Sequence, residues 1–402
     1  MKALQNDFFL GAGVAIIFSA FLYLAYFGIT IKILNSFLGV LALGSLLYIP
    51  KRAILFSGFF IGLLWFYWIG YSFKYQGVGY MTPIVFVGFG FVYMLFFAPL
   101  SLTDKPYIRA LLIFLLSFVE PFDFNWMKFE LLFTQSYFGI YKYQLAIILA
   151  VLSSIGYLKK KRYGWVVMFM LLFAIDWNNT QPSLAPLKIK LVQTNVPQEL
   201  KWQPQYMYTT LDMIFHQITQ ATKQGYDVVV LPESVFPLFM NKYPGIEAQL
   251  KKRSHDIAIV AGALYKDGKH NYNVTYVFDH STVQMAKKMV LVPFGEYIPL
   301  PKFAQKFIND TFFAGASDFE TAKKPTDFHI RGITFRNAIC YEATCDEIYQ
   351  NTPQYVIAMS NNGWFTPSIE PTLQKLLMHY YSRKYHVVIY HSANIAGTGI
   401  VR

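Results

Sequence analysis

Charge is what this 402-residue sequence has least of. Asp, Glu, Lys and Arg make up 14% of it, against about 25% in an average soluble domain, which argues against a purely soluble protein. Cysteine is scarce too: Cys340 and Cys345 are the only two, too few for a disulfide framework in so long a chain. The eight His have neither metal-ligand spacing nor triad-like placement. There is no repeat, no low-complexity linker and no nucleotide-binding glycine loop. A net charge of +12 comes without any RNA- or DNA-binding module, so nucleic acid is set aside as a partner. Apolar side chains, by contrast, make up 54% and aromatics 18% of the chain, which excludes intrinsic disorder.

The shortage of charge is uneven. Residues 1–180 hold 19 charged side chains and the remaining 222 residues hold 39. A membrane-spanning helix needs about 20 mostly apolar residues. Phe8–Ile31, Ile33–Pro50, Ala53–Phe73 and Tyr75–Thr103 meet or approach that length without an interior charge, Lys74 falling between the last two. Pro106–Val119 (interrupted by Arg109), Tyr143–Leu158 and Tyr163–Ile175 are shorter candidates. Basic residues follow alternate segments: Lys51 and Arg52, Lys105 and Arg109, then Lys159 to Arg162. Cytoplasmic loops collect Lys and Arg, so this spacing predicts about seven spans. The N-terminus is then inside, and everything after about residue 177 outside. No small-residue cleavage site follows the first segment and further spans come directly after it, so it is read as a span and not a signal peptide.

From Pro186 the pattern changes. Short β-branched runs at Leu187–Val192, Asp227–Leu231, Ile257–Gly262, Asn273–Phe278, Val283–Lys288, Ile333–Ile339, Tyr355–Met359 and Val387–His391 predict strands. Helices are predicted near Tyr206–Lys223 and Pro371–Lys384. Strands interleaved with helices predict an α/β layered domain over 186–402 beside a helical bundle over 1–180.

Three stretches at predicted strand ends carry candidate chemistry. Glu233 follows a buried strand in Leu231-Pro232-Glu233, where a rigid element can aim its carboxylate. Lys288 precedes Val292-Pro293-Phe294-Gly295-Glu296-Tyr297 and can offer a fixed positive charge to a developing oxyanion. Cys340 leaves a β-run in Ile339-Cys340-Tyr341-Glu342 and can act as a nucleophile if a base is close. Taken singly, each has a plainer explanation: a solvated turn, a surface lysine, a small buried residue. Together they supply a base, a cation and a nucleophile. A free thiol is mostly protonated at neutral pH, and a neighbouring carboxylate can take its proton during attack. Cys345 is read as inert.

These stretches, in this order, resemble the Glu-Lys-Cys site of the nitrilase superfamily. The fuller resemblance is to its membrane branch, the apolipoprotein N-acyltransferase family. That family also has stretches like Leu191–Gln198, a Lys-Trp pair like Lys201-Trp202 and a segment like Ser360–Phe365. The resemblance covers nearly the whole chain. It implies an α/β fold class: a polytopic transmembrane helix bundle plus a nitrilase-like α-β-β-α sandwich domain. It further implies a bacterial cytoplasmic (inner) membrane protein with its catalytic domain in the periplasm, needing no cofactor. The implied activity moves an acyl chain from a phospholipid donor, through a cysteine thioester, to the α-amine of a diacylglyceryl-apolipoprotein acceptor. Carried across residue by residue, Cys340 is the nucleophile, Glu233 the base and Lys288 the oxyanion stabiliser. Glu296 and Glu342 orient the site, while Trp202, Trp364, Phe294 and Tyr341 line substrate access. The family pattern runs on past the point matching Ile395–Val401 with further strands and a final span, whereas this sequence stops at Arg402: either the last elements are absent or the sequence is cut short. Asn362-Gly363 and Thr366 also depart from the family's usual residues. A membrane-tethered amidase using the same three residues is the alternative, and a non-catalytic scaffold a third. An outward-facing site on a bundle of spans can take lipid directly, and an apolar lining would keep water from the thioester.

Overall fold

The computed structural model describes residues 2–75, 77–158, 164–177, 180–293, 295–297 and 319–402. The chain forms two compact units. One is Met1–Thr180 with Pro367–Tyr380, the other Gln181–Thr366 with Tyr381–Arg402.

The first unit is helical: α1 (Lys2–Tyr26), α2 (Lys32–Tyr48), α3 (Lys51–Phe66), a short α4 (Ser72–Tyr75), α5 (Thr82–Phe97), α6 (Pro106–Leu116), α7 (Lys142–Leu158) and a 3-10 helix, Gly164–Ala174. All seven expected segments contain helix, but their lengths differ. The continuous stretches Lys2–Tyr26, Lys51–Tyr75 and Gly79–Leu102 have 24 or 25 residues, enough for a hydrocarbon core about 30 Å thick. The other four have 10–17 residues. An 11-residue α-helix such as α6 spans only about 17 Å, because Lys105-Pro106 starts it late and the chain turns at Ser117. Among the described residues, then, three of the seven expected segments are long and apolar enough to cross unaided. The basic run Lys159–Arg162 lies outside the described residues.

Packing in this unit relies on close helix approach. A Cβ on Gly62 of α3 would meet the Phe89 carbonyl oxygen at 2.4 Å and Tyr93 Cβ at 2.9 Å. One turn earlier, Gly58 meets Tyr93 and Met94 of α5 in the same way. Small residues four apart let two backbones touch where lipid offers no hydrophobic drive for helix association. Arg109 explains how a charge sits inside the fifth apolar segment. Its side chain is 1% exposed. Its Nε donates to the Leu100 and Thr103 carbonyls (3.1 and 2.8 Å), and its Nη1 to those of Leu47 and Ile49 (3.1 and 2.6 Å). One guanidinium therefore satisfies carbonyls left over where helical segments end. Arg109→Met should cost about 2–3 kcal/mol, as expected for losing hydrogen bonds from a charged donor. The melting temperature of the detergent-solubilised protein should fall by roughly 5–10 °C. An unchanged value would mean that these carbonyls find other donors.

The second unit contains two five-stranded sheets. The first is ordered β1 (Ile189–Leu191), β2 (Val228–Val230), β3 (Ala258–Asp267), β4 (His270–Asp279), β5 (Thr282–Lys287). Its first three strands are parallel and the rest antiparallel. The second sheet has spatial order β10 (Gly399–Val401), β9 (Val388–Asn394), β8 (Tyr355–Asn361), β7 (Ile333–Ile339), β6 (Asp327–Ile330). β7, β8 and β9 are parallel, with antiparallel strands at both edges. The sheets share one core: Val228, Val230, Val260 and Val277 pack with Phe335, Ile339, Ile357, Met359 and Val388. The other face of the first sheet packs Val229, Ile259 and Ala261 against Leu211, Ile214 and Ile218 of α9 (Pro204–Lys223) and Leu250 of α10 (Pro244–Arg253). β2 is Val-Val-Val because it is buried on both faces. A short α8 (Gln198–Lys201) precedes α9, and α11 (Glu370–Tyr385) leads into β9. The fold class is α/β, as expected, with an apolar helical region and a domain of two packed sheets with helices. The sequence reading missed β6, β10 and α10. β6 and β10 are edge strands of three or four residues, too short to show a period, and in α10 only Leu250 is buried.

Candidate active site

The parallel strands of both sheets end at one place. Glu233 lies three residues beyond β2, Cys340 directly after β7, Asn361 at the end of β8 and Lys288 directly after β5. Carboxyl ends of parallel strands are where α/β folds collect their ligands.

Two tight turns aim the side chains. Cys340 has φ +57° and opens a 3-10 turn, Cys340–Thr344. A non-glycine residue held there stores about 1–3 kcal/mol of strain, which the surrounding hydrogen bonds must outweigh. Glu342 supplies them. Its Oε2 accepts from the Ile339 N–H at 2.6 Å, and its Oε1 accepts from the Val290 N–H at 3.0 Å and from the Met289 N–H. The residue after the nucleophile candidate's neighbour thus ties the elbow leaving the second sheet to the backbone just past Lys288 in the first. Glu342 is 1% exposed. Burial raises its carboxyl to about 7, while Lys288 and the three N–H donors pull it down.

The second turn follows β2, where Ser234 has φ +45°. It is pressed against β3 at Gly262. A Cβ there would lie 2.4 Å from the Ser234 nitrogen and 2.8 Å from Glu233 Cα. Glu233 itself is 7% exposed. Its Oε1 accepts from Asn273 Nδ2 at 2.8 Å and its Oε2 from the Asn361 N–H at 2.9 Å.

Lys288 is 1% exposed, with its ammonium 2.8 and 2.7 Å from the two oxygens of Glu296 and 3.9 Å from Glu233. Burial opposes its charge, but Glu296, Glu233 and Cys340 outweigh burial and hold it above the ordinary lysine range. Glu296 is itself fixed by the Val292 N–H at 2.9 Å. The cation is permanent and immobile, which is what charge stabilisation in a transition state requires.

The five residues expected to carry chemistry, Glu233, Lys288, Cys340, Glu296 and Glu342, therefore come together. The expected lining residues divide. Trp364 Nε1 lies 3.3 Å from the Asn361 carboxamide. Tyr341 is 3% exposed, within the Cys340 turn. Trp202 is 44% exposed at the end of α8. Phe294 lies outside the described residues. Cys345 is buried and donates to the Tyr341 carbonyl at 3.3 Å. Neither cysteine is in a disulfide.

Comparison with known proteins identifies the family of the chain. Residues 5–177 match the integral membrane domain of apolipoprotein N-acyltransferase. Over 96% of this chain and 94% of the relative's, the sequence is 40% identical to an apolipoprotein N-acyltransferase of Wolinella succinogenes. The chain belongs to the apolipoprotein N-acyltransferase family. The family protein of Helicobacter pylori is 37% identical over 92% of this chain and 87% of its own, and that of Helicobacter hepaticus 39% identical over 92% and 94%. Among solved structures, a CN-hydrolase superfamily protein of Xanthomonas campestris aligns over 53% of this chain and 77% of its own, at 13% identity and a TM-score of 0.39. As a family member the chain is a multi-pass membrane acyltransferase.

Within this apolipoprotein N-acyltransferase fold, the sequence reading missed three polar residues at the site. Lys201 is 5% exposed and donates to the Glu233 carbonyl at 3.0 Å. Asn273 and Asn361 hold the two Glu233 oxygens. The Lys201-Trp202 pair of the family resemblance was the one available signal for Lys201, whereas Asn273 is a single polar residue in a strand and leaves none.

Gly262→Ala should push the Glu233 turn off β3. Acyl transfer is expected to fall at least about tenfold, since a displacement of about 1 Å is enough to cost that much or more. Circular dichroism should show the fold retained. Full activity in the alanine variant would show that the Glu233 turn does not need this contact.

Proposed function

We propose that this protein transfers a fatty acyl chain from a phospholipid to the α-amine of diacylglyceryl-cysteine on apolipoproteins, through a thioester on Cys340. The observation that carries the reading is the buried Lys288 ammonium, clamped by Glu296 and 3.9 Å from Glu233, at the strand end that faces the Cys340 elbow.

The steps follow from the groups present. Glu233 takes the thiol proton as Cys340 Sγ attacks the ester carbonyl of the phospholipid. Lys288 carries the charge of the tetrahedral oxyanion. The intermediate collapses to the thioester, and the leaving lysophospholipid alkoxide takes the proton back from Glu233. In the second half, the acceptor's amine attacks the thioester carbonyl. Glu233 removes a proton from the nitrogen, the Cys340 thiolate leaves, and an amide has formed. The thiolate is then reprotonated from Glu233, which restores the starting state. Two displacements on one nucleophile predict ping-pong kinetics.

The helical unit is taken as the membrane bundle that delivers the lipid, in the bacterial cytoplasmic membrane. In the sequence, Lys51-Arg52, Lys105 and Lys159–Arg162 fall between alternate apolar segments, which supports an outward-facing catalytic unit.

The test uses full-length protein in detergent–phospholipid micelles with a diacylglyceryl-cysteine peptide. N-Acyl peptide should form, Cys340→Ala should form none, and Lys288→Met should lose about 10²–10³-fold in rate. Product from Cys340→Ala would overturn the reading. Release of free fatty acid at a rate indifferent to the peptide amine would indicate a hydrolase instead.

A further inference from the structure

The site holds a second buried cation that the mechanism above does not use. Lys201 ends α8, one residue before the exposed Trp202, yet its side chain turns inward. Its Nζ lies 3.0 Å from the Glu233 carbonyl oxygen and 3.1 Å from the Asn361 carboxamide. That carboxamide also meets Trp364 Nε1 at 3.3 Å. As placed, its Nδ2 donates to Gln198 Oε1 and its Oδ1 accepts from Asn394 Nδ2, at 2.8 and 2.9 Å; with the amide turned over, its oxygen faces Lys201 and Trp364 and gives both N–H donors an acceptor. Asn361 is therefore shared. Its side chain faces Lys201, and its backbone N–H holds Glu233 Oε2. Burying an ammonium is expensive unless charge is needed, and neutral residues could have filled the same space.

We propose that Lys201 is a positioning residue of the acyl transfer. Its ammonium ties the main chain of Glu233 to Asn361, and its positive charge, acting on Cys340, favours the thiolate. This inference rests on the thioester reading. The charged and titratable groups that act on Lys201 are Glu233 on the turn after β2 and Cys340 on the turn after β7, and Lys288 lies 3.9 Å from Glu233. Burial presses the Lys201 amine down to about 8, while Glu233 and Cys340 push the other way. The sign follows. Below about pH 8 the site holds two cations and the thiolate is favoured. As pH rises through 8, Lys201 becomes neutral and that support is withdrawn. Lys288, held above its ordinary range, stays charged throughout.

The experiment measures alkylation of Cys340 by iodoacetamide against pH in the full-length protein in micelles. Fragment-ion mass spectrometry separates Cys340 from Cys345. In Lys201→Met the midpoint of the rate profile should move up by about one pH unit, so that alkylation at pH 7 slows about tenfold. Lys201→Arg should keep the wild-type midpoint. If Lys201→Met does not fold, Lys201→Gln keeps a donor to both oxygens without the charge, and should show the same upward move. An unmoved midpoint in a folded, uncharged variant would overturn the proposal. Acyl-adduct formation is read in parallel on the same samples. Normal adducts with unmoved alkylation would sink the role of Lys201 and leave the thioester reading standing. A moved midpoint with no adduct in the wild type would sink the thioester reading and leave Lys201 as the cation acting on the thiol.

Discussion

Everything at this site depends on keeping one ammonium charged where water does not reach. Lys288 is 1% exposed, and an isolated ammonium so placed would give up its proton. Glu296 meets it with both oxygens and Glu233 stands 3.9 Å away, so the proton stays. The same contact spreads outward. Glu296 is held by the Val292 backbone, Glu233 by Asn273 and Asn361, and the loop after Lys288 by Glu342. Removing one partner of such a buried set leaves an uncompensated charge, which is why its members act together.

Glu342 has a further geometric role. The nucleophile candidate and the cation belong to different sheets, and the sheets share an apolar core that fixes layer spacing but not side-chain placement. The Glu342 carboxylate spans the two strand ends through three backbone N–H groups. It thereby holds the left-handed Cys340 elbow in place against its strain. On the other turn, Gly262 lets Glu233 sit flush on β3. Sub-ångström placement here comes from backbone geometry, with few side chains free to adjust.

Much of this was legible in the sequence because the informative residues sit where patterns are strongest. Val228–Val230 is a buried, β-branched run and Ile333–Ile339 a strand buried from Phe335 onward, and the residues that follow them are the ones that carry chemistry. Glu233, Lys288 and Cys340 could be picked out because they interrupt apolar runs and occur in a recognisable order. Asn273 could not, since a polar residue inside a strand announces neither its face nor its partner. Lys201 was hidden by its helix: charge at the last turn of a short helix reads as solvated, and only the fold turns it inward. Among the apolar segments, composition located helices but not their ends. Pro106–Val119 looked like a span because it is apolar, whereas α6 stops at Leu116 after 11 residues. Its internal Arg109 answers to carbonyls brought near by tertiary packing, which no local window contains.

The central claim is that an acyl chain rests on Cys340 between donor and acceptor. The most direct measurement is the intact mass of the purified full-length protein after incubation with phospholipid and no acceptor. The account predicts a gain of one fatty acyl group, mapped to Cys340, released by hydroxylamine, and discharged as amide when a diacylglyceryl-cysteine peptide is added. A folded protein that forms N-acyl peptide without ever carrying that mass would contradict it.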